Sequence, residues 1–169
     1  KMYEFSVYGI KFEHEDNWQI RIDPIRSFNA GSGSVKAEVI NTENHTAQAS
    51  MRITWDEASE GTDGFAENYC DQLEKQYKKT VKNSKRYKIL SRELVEHNGH
   101  RACLSHTALN SSTHFIRPIG KNVDIEIIEL AFYCEASHRI VVATLSSEME
   151  YYKSHEDELK RMLFSVQCH

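Results

Sequence analysis

The chain has 169 residues, of which 40% are hydrophobic and 27% are charged, and its formal net charge is −4. This length and composition are ordinary for one globular domain, residues 1–169, that buries a core without help from disulfides or metals. The negative net charge does not argue for binding to nucleic acid, and no apolar run approaches the roughly 18 residues that a membrane-spanning helix needs. Because the amino-terminal residues also lack the apolar core of a signal peptide, we expect a cytoplasmic protein, unless a leader peptide was removed.

Alternation of apolar and polar residues predicts short strands at the start of the chain. Residues 3–7 alternate on one parity, and residues 10–12 continue on the other. Gly9 lies between them and accepts unusual backbone angles, so we expect a bulge or a sharp corner there. A second strand is predicted over residues 18–22, with Trp18 as a core anchor.

A glycine-rich segment, Gly31-Ser32-Gly33-Ser34, follows these strands. It lacks the lysine of a phosphate-binding loop and has no obvious helix behind it, so we predict a flexible connection. Residues 35–39 and 49–55 then alternate on either side of a polar turn, which predicts a β-hairpin.

A long amphipathic helix is predicted from about Thr62 to Val81. Four aromatic or apolar residues recur at intervals of four and mark its buried stripe: Phe65, Tyr69, Leu73 and Tyr77. Acidic residues lie in its first half and basic residues in its second half, which complements the helix dipole.

The Asn98-Gly99 pair is the strongest hairpin signal in the chain, because both residues tolerate positive φ. It predicts a turn between strands that begin near Tyr87 and end near Ala108, followed by a long loop over residues 110–122.

The last third of the chain predicts two more strands and a helix. Residues 125–134 form a strand with a parity change around Ile128-Glu129, and residues 140–145 are apolar on both parities, which is typical of a central strand. Caps at Ser147 and Ser154 are expected to start the carboxyl-terminal helix. Together the elements predict the α+β class, with a mostly antiparallel β-sheet packed between the long central helix and the carboxyl-terminal helix.

Three local patterns, with this element order, resemble the PsbP-like fold family. They are Tyr8–Phe12 followed by Asn17-Trp18, the hairpin segment Val95–Ala102, and the ending Leu163–Val166. The family includes photosystem II PsbP, Ran-binding Mog-type proteins and uncharacterised prokaryotic relatives. The chain departs from the pattern because its loop before the tryptophan has no proline. The resemblance implies a binding or scaffolding role and supplies no catalytic residues.

The chain has four cysteines: Cys70, Cys103, Cys134 and Cys168. They form no CxxC pair, and their spacing matches no zinc framework. Three of them lie in apolar patterns, where a free cysteine behaves as a small hydrophobic residue. We therefore predict buried free thiols in a reducing compartment, and only a weak metal clamp at Cys168-His169.

His97 and His100 flank the Asn98-Gly99 turn and should form its closing cross-strand pair. Cross-strand Cβ atoms lie about 5 Å apart, close enough for two imidazoles to share a metal ion. Exposed turn histidines are the alternative interpretation. Glu96 and His106 would add ligands only if the strand twist brings their side chains close to His97 and His100.

Eight basic residues and no acidic ones lie between Lys75 and Arg92. We assign partner binding to the first six of them: Lys75, Lys78, Lys79, Lys82, Lys85 and Arg86. Such a surface would dock an acidic protein, a phosphate-rich polymer or lipid headgroups, and a solvated polar face is the alternative. The nucleic-acid signal is not strong, because the interleaved Tyr77 and Tyr87 are expected to point inward.

These patterns favour a non-enzymatic binding or scaffolding module that needs no cofactor and whose partner is an unknown protein or anionic ligand. The alternative is a small-ligand or metal-binding domain, with a site at the turn histidines or in a pocket lined by residues 110–122 and 32–34. A hydrolytic enzyme that uses histidine with cysteine or carboxylates is a third hypothesis.

Overall fold

The computed structural model describes residues 1–24, 27–80, 86–111 and 123–169. In chain order these residues form β1 Met2–Val7, β2 Ile10–Glu15, β3 Gln19–Ile22, β4 Ser32–Ile40, β5 Ala47–Glu57, α1 Phe65–Thr80, β6 Tyr87–His97, β7 His100–Ser111, β8 Val123–Cys134, β9 Arg139–Glu148 and α2 Met149–Phe164. The α+β class with a large antiparallel sheet and two helices is therefore confirmed. Neither helix is both long and apolar enough to cross a lipid bilayer.

Seven strands form one antiparallel sheet in the order β3-β4-β5-β9-β8-β7-β6, and β1 pairs with β2 in a separate hairpin. β9 lies in the middle of the large sheet, between β5 and β8, as its apolar character on both parities predicted. β6 and β3 form the two outer edges. The last four strands therefore run in reverse order across the sheet, and β5 and β9 are the one pair of neighbours among the described strands that is not consecutive in sequence.

The two helices pack on opposite faces of the sheet. Cys70 of α1 is bonded to Cys103 of β7, whereas Tyr152 of α2 packs its ring against His106 of the same strand. Residues three apart on a strand point to opposite faces. The larger part of the core lies on the α2 side, where Phe132 is fully buried.

Two turns have the same backbone geometry. Asn98 and Gly99 have φ values of 51° and 82°, and Tyr8 and Gly9 also have φ values of 51° and 82°. Two consecutive positive φ values are typical of a two-residue hairpin turn. The predicted hairpin at Asn98-Gly99 is confirmed, and the expected bulge or corner at Gly9 is instead the full turn between β1 and β2.

The glycine-rich segment is not the predicted flexible loop, because Ser32, Gly33 and Ser34 belong to β4. Gly33 lies opposite Trp55 on β5, and the indole ring covers the glycine backbone. A Cβ atom on Gly33 would lie 2.2 Å from the Trp55 ring. The glycine therefore provides space for a buried tryptophan within the sheet.

We expect Gly33→Ala to lower the free energy of unfolding by about 1–3 kcal/mol, because the added methyl group displaces the buried Trp55 ring. Urea denaturation followed by tryptophan fluorescence measures this loss. Gly31→Ala is the matched control, because its Cβ would meet side-chain oxygens rather than a buried ring, at 3.1 Å from Glu57 and 3.4 Å from Asn29. Equal losses in the two variants would contradict the close approach of Trp55 to Gly33.

The prediction of free thiols is wrong. Cys70 bonds to Cys103, and Cys134 bonds to Cys168, with sequence separations of 33 and 34 residues. The first bond ties α1 to β7, and the second ties the end of β8 to the carboxyl-terminal segment. This pairing removes the basis of the predicted reducing compartment.

Two predicted features of the last third also differ from the structure. Ser147 belongs to β9, and α2 begins after Glu148 with no side-chain cap. The second predicted cap, Ser154, adjoins a kink at His155, whose φ and ψ are −131° and 21°. β8 keeps a continuous register with both neighbours, so Glu129 marks no bulge. Its carboxylate instead accepts hydrogen bonds from the side chains of Tyr69 and Thr144.

Candidate functional site

The second half of α1 presents a row of lysines to solvent. Lys75, Lys78 and Lys79 are exposed, whereas Leu73 on the opposite side of the helix is buried against the sheet. The Lys78 Nζ atom lies 3.6 Å from Glu74 Oε1, one helical turn away. An exposed pair of this kind contributes little to stability, so Lys78 remains available to a partner.

The basic row continues at the start of β6, where Arg86, Lys88 and Arg92 are exposed. Lys82 and Lys85, the other two predicted binding residues, lie outside the described residues. We call the group Lys75, Lys78, Lys79, Arg86 and Arg92 the basic surface, because Lys88 pairs with Ala108 and therefore points to the opposite face of the sheet. It covers the end of one helix and the beginning of one edge strand.

A groove of about 640 Å³ separates α1 from β6. Its lining residues are Glu74, Lys78, Tyr87, Ile89, Leu90, Ser91 and Arg92. Next to the groove, the rings of Tyr77 and Tyr87 stack with centroids 5.1 Å apart, and burial raises the pKa of Tyr77. The two tyrosines point inward, as predicted, and fix the helix against the strand.

β6 is an edge strand, and no other described strand pairs with its outer side. Leu90 and Leu94 are 47% and 39% exposed. The pairing with β7 shifts between Ile89 and Ser91, so Leu90 occupies a bulge. The edge therefore combines exposed leucines with the cations of the basic surface.

The predicted histidine pair forms, but its two members have different surroundings. His97 and His100 are opposite each other in the register of β6 and β7. His97 is buried, and its Nε2 atom donates to the backbone oxygen of Val166 at 2.6 Å. This bond uses Nε2 of His97 to hold the carboxyl-terminal segment, so His97 is not an exposed turn residue.

His100 instead belongs to a cluster with Cys134, Cys168 and His169. One potential ligand atom from each residue lies within 4.8 Å of all the others. His100 stacks on Phe132 with ring centroids 5.5 Å apart. Burial and the neighbouring His169 lower the pKa of His100, which favours the neutral imidazole.

The carboxyl-terminal segment that carries Cys168 and His169 is held by backbone contacts as well as by its disulfide. Gln167 exchanges two backbone hydrogen bonds with Lys11 of β2, at 2.9 and 3.1 Å. The buried Arg139 donates from Nη2 to the Cys168 oxygen at 2.9 Å and from Nη1 to Ala30 at 3.1 Å. Sequence reasoning missed Arg139, because no local pattern distinguishes it from a surface arginine.

The groups considered for hydrolysis have structural partners. His106 pairs through Nε2 with Glu126, and Asp124 accepts a hydrogen bond from Asn110 at 2.7 Å. Asp124 and Glu126, two residues apart on β8, therefore have different partners. All four cysteines form disulfides, so none is a free nucleophile in this state.

One wall of the predicted small-ligand pocket, Ser32–Ser34, is paired with β5 as part of β4. Its other predicted wall, residues 112–122, lies outside the described residues. A larger groove of about 1000 Å³ lies between the β4–β5 turn and α2. Glu43, Glu148 and Glu150 are among its lining residues, which gives this end of the molecule an acidic character.

No family model matches the chain, and no curated protein matches it in sequence. Solved structures do match. Cyanobacterial PsbP (CyanoP) from Synechocystis sp. PCC 6803 superposes with a TM-score of 0.67 at 11% identity, over 100% of this chain and 92% of that one. PA94 from Pseudomonas aeruginosa, a protein of unknown function, superposes with a TM-score of 0.52 at 19% identity, over 95% of this chain and 92% of that one.

Identities this low establish the architecture alone. The superposition on cyanobacterial PsbP covers the whole of this chain. The chain therefore has the PsbP-like fold.

Proposed function

We propose that this protein is a non-enzymatic binding module that docks an extended, acidic segment of a partner protein along the basic surface. The observation that supports the proposal most directly is the groove between α1 and β6, with lysines and arginines beside an edge strand. An extended peptide can add to such an edge through backbone hydrogen bonds, while side chains at alternate positions reach the flanking pockets.

Charge and apolar contact would act together in this mode of binding. The cations of α1 and β6 attract carboxylates over the roughly 8 Å that electrostatic interactions reach at physiological salt. Leu90 and Leu94 offer apolar contacts to every second residue of the incoming strand. The rest of the molecule is net acidic, so an acidic segment is directed to this one surface.

A non-catalytic role is supported by the described titratable groups. His106 is engaged with Glu126, and Glu129 is engaged with Tyr69 and Thr144, so these groups contribute to packing and pairing. Similarity in fold to PsbP agrees with this assignment but names no partner for this chain.

Fluorescence anisotropy with a labelled peptide of alternating glutamate and valine tests the proposal. We expect Lys78→Glu/Lys79→Glu to weaken binding by about 10-fold or more, equivalent to roughly 1.4 kcal/mol. Binding by the unchanged protein should also weaken as salt rises.

Lys153→Glu/Arg161→Glu is the matched control, because it makes the same change in net charge at two exposed positions of α2. Equal affinity of both double variants for the peptide would contradict a role for the basic surface. Binding of inorganic polyphosphate or anionic vesicles, with no binding of the peptide, would replace the acidic protein with a different class of partner.

A further inference from the structure

The cluster of His100, Cys134, Cys168 and His169 has the ligand types of a tetrahedral zinc site. Zinc binds thiolate sulfur at about 2.3 Å and imidazole nitrogen at about 2.0–2.1 Å, which sets sulfur–nitrogen separations of about 3.5 Å around a tetrahedron. The Cys168 Sγ atom lies 3.4 Å from His100 Nε2 and 3.3 Å from His169 Nδ1. Cys134 Sγ lies 3.6 Å from His169 Nδ1. Three sulfur–nitrogen separations therefore already suit a bound ion.

The sulfur–sulfur pair is the one measured edge of this tetrahedron that does not fit. Two thiolates on one zinc ion stand about 3.8 Å apart, whereas Cys134 and Cys168 are bonded to each other. Zinc and the disulfide therefore require the same two sulfur atoms and exclude each other.

We propose that these four side chains form a zinc site whenever the Cys134–Cys168 bond is reduced, so that bound zinc and the disulfide are alternative states of one centre. Paired thiolate and neutral imidazole ligands in a tetrahedral arrangement favour zinc over magnesium or calcium, which prefer oxygen. A hollow of about 280 Å³, bordered by His100, Cys168 and His169, gives an ion access from solvent.

Contacts other than the disulfide hold the ligands in place after reduction. Lys11 and Arg139 fix the backbone of Gln167 and Cys168, and His97 holds the oxygen of Val166. Phe132 supports the His100 ring from behind. The two thiols would therefore stay near each other, which lowers the ordering cost of binding the ion.

The chemistry of the exchange balances with two simple reagents. A dithiol reductant supplies two electrons and two protons, converts the disulfide to two thiols and becomes a disulfide itself. Zinc then binds as the two thiols lose their protons. In the reverse direction, one hydrogen peroxide takes two electrons from the two thiolates and, with two protons, leaves as two waters. The Cys134–Cys168 bond then re-forms, and Zn²⁺ is released.

The test uses the full chain without a polyhistidine tag, reduced under anaerobic conditions and titrated with Co²⁺ and then with Zn²⁺. We expect one ion per reduced chain, with the thiolate-to-cobalt charge-transfer band and the visible bands of tetrahedral cobalt. We expect no stoichiometric binding by the oxidised chain. Peroxide should release the bound zinc to a chelating dye.

Matched variants assign the ligands. Cys70→Ser/Cys103→Ser removes the other disulfide, whose cysteines belong to no cluster of three or more possible metal ligands among the described residues, and should keep the site. Cys134→Ser/Cys168→Ser and His100→Ala/His169→Ala should each lose it. The histidine double variant retains both thiols, and circular dichroism of its reduced form, compared with the reduced wild type, shows whether it stays folded, so that a loss of metal by the folded variant would not reflect unfolding. Absence of metal from the reduced wild type, or unchanged binding by the histidine double variant, would overturn the proposal.

Discussion

Replacing Phe132 with alanine should lower the free energy of unfolding by about 3–5 kcal/mol, the usual range for removing a fully buried phenylalanine side chain. Phe132 lies in β8 opposite Ala102 of β7 and Val141 of β9, and none of its surface is exposed. The rings of His97 and His100 lie 5.3 and 5.5 Å from its ring. Its loss would leave a cavity beneath both histidines.

Chemical denaturation followed by circular dichroism measures the effect, with Phe164→Ala as the matched control. Phe164 is 41% exposed at the end of α2, so the same truncation there should cost less than about 1 kcal/mol. If the two variants lost equal stability, Phe132 would not lie in the core as described.

Removing the disulfide between α1 and β7 should have the next largest effect. We expect Cys70→Ala/Cys103→Ala to lose about 2–4 kcal/mol of unfolding free energy, because a bond that closes a loop of this length restricts the unfolded chain. The two cysteines are 33 residues apart, and this bond connects the helix covalently to the sheet. Guanidinium denaturation, monitored by the fluorescence of Trp18 and Trp55, measures the loss.

Cys134→Ala/Cys168→Ala provides the comparison in oxidised, metal-free protein, because it opens a loop of nearly the same length, with a separation of 34 residues. Similar losses would support restriction of the unfolded chain as the common cause. A loss below about 1 kcal/mol for Cys70→Ala/Cys103→Ala would contradict this account of the first bond.

The sequence predicts most of the fold because most of its signals are local. Period-two alternation marks the strands, intervals of four mark α1, and Asn98-Gly99 fixes one hairpin. Local signals fail where the conformation of a residue depends on a contact with a residue far along the chain. Gly33 looks like part of a loop until Trp55 is placed opposite it.

The candidate functional residues show the same difference between local signals and contacts that are distant in sequence. The exposed lysines of α1 follow directly from helical periodicity. The disulfides cannot be predicted in this way, because a buried free cysteine and a buried disulfide-bonded cysteine occur in the same apolar sequence pattern. His97 and His100 are cross-strand neighbours, as predicted, but the Val166 oxygen binds one of them and leaves the other near Cys168. Only the placement of the carboxyl-terminal segment decides between these roles.

The middle position of β9 matters during synthesis. β5 and β8 both leave the ribosome before β9, and each keeps an open edge until residues 139–148 arrive between them. Open edges invite pairing with other chains, and contacts between distant segments slow folding. We therefore expect the nascent chain to be most prone to aggregate just before β9 emerges. At that stage β3–β5 and β6–β8 can each form part of the sheet, but the strand that pairs with both parts is missing.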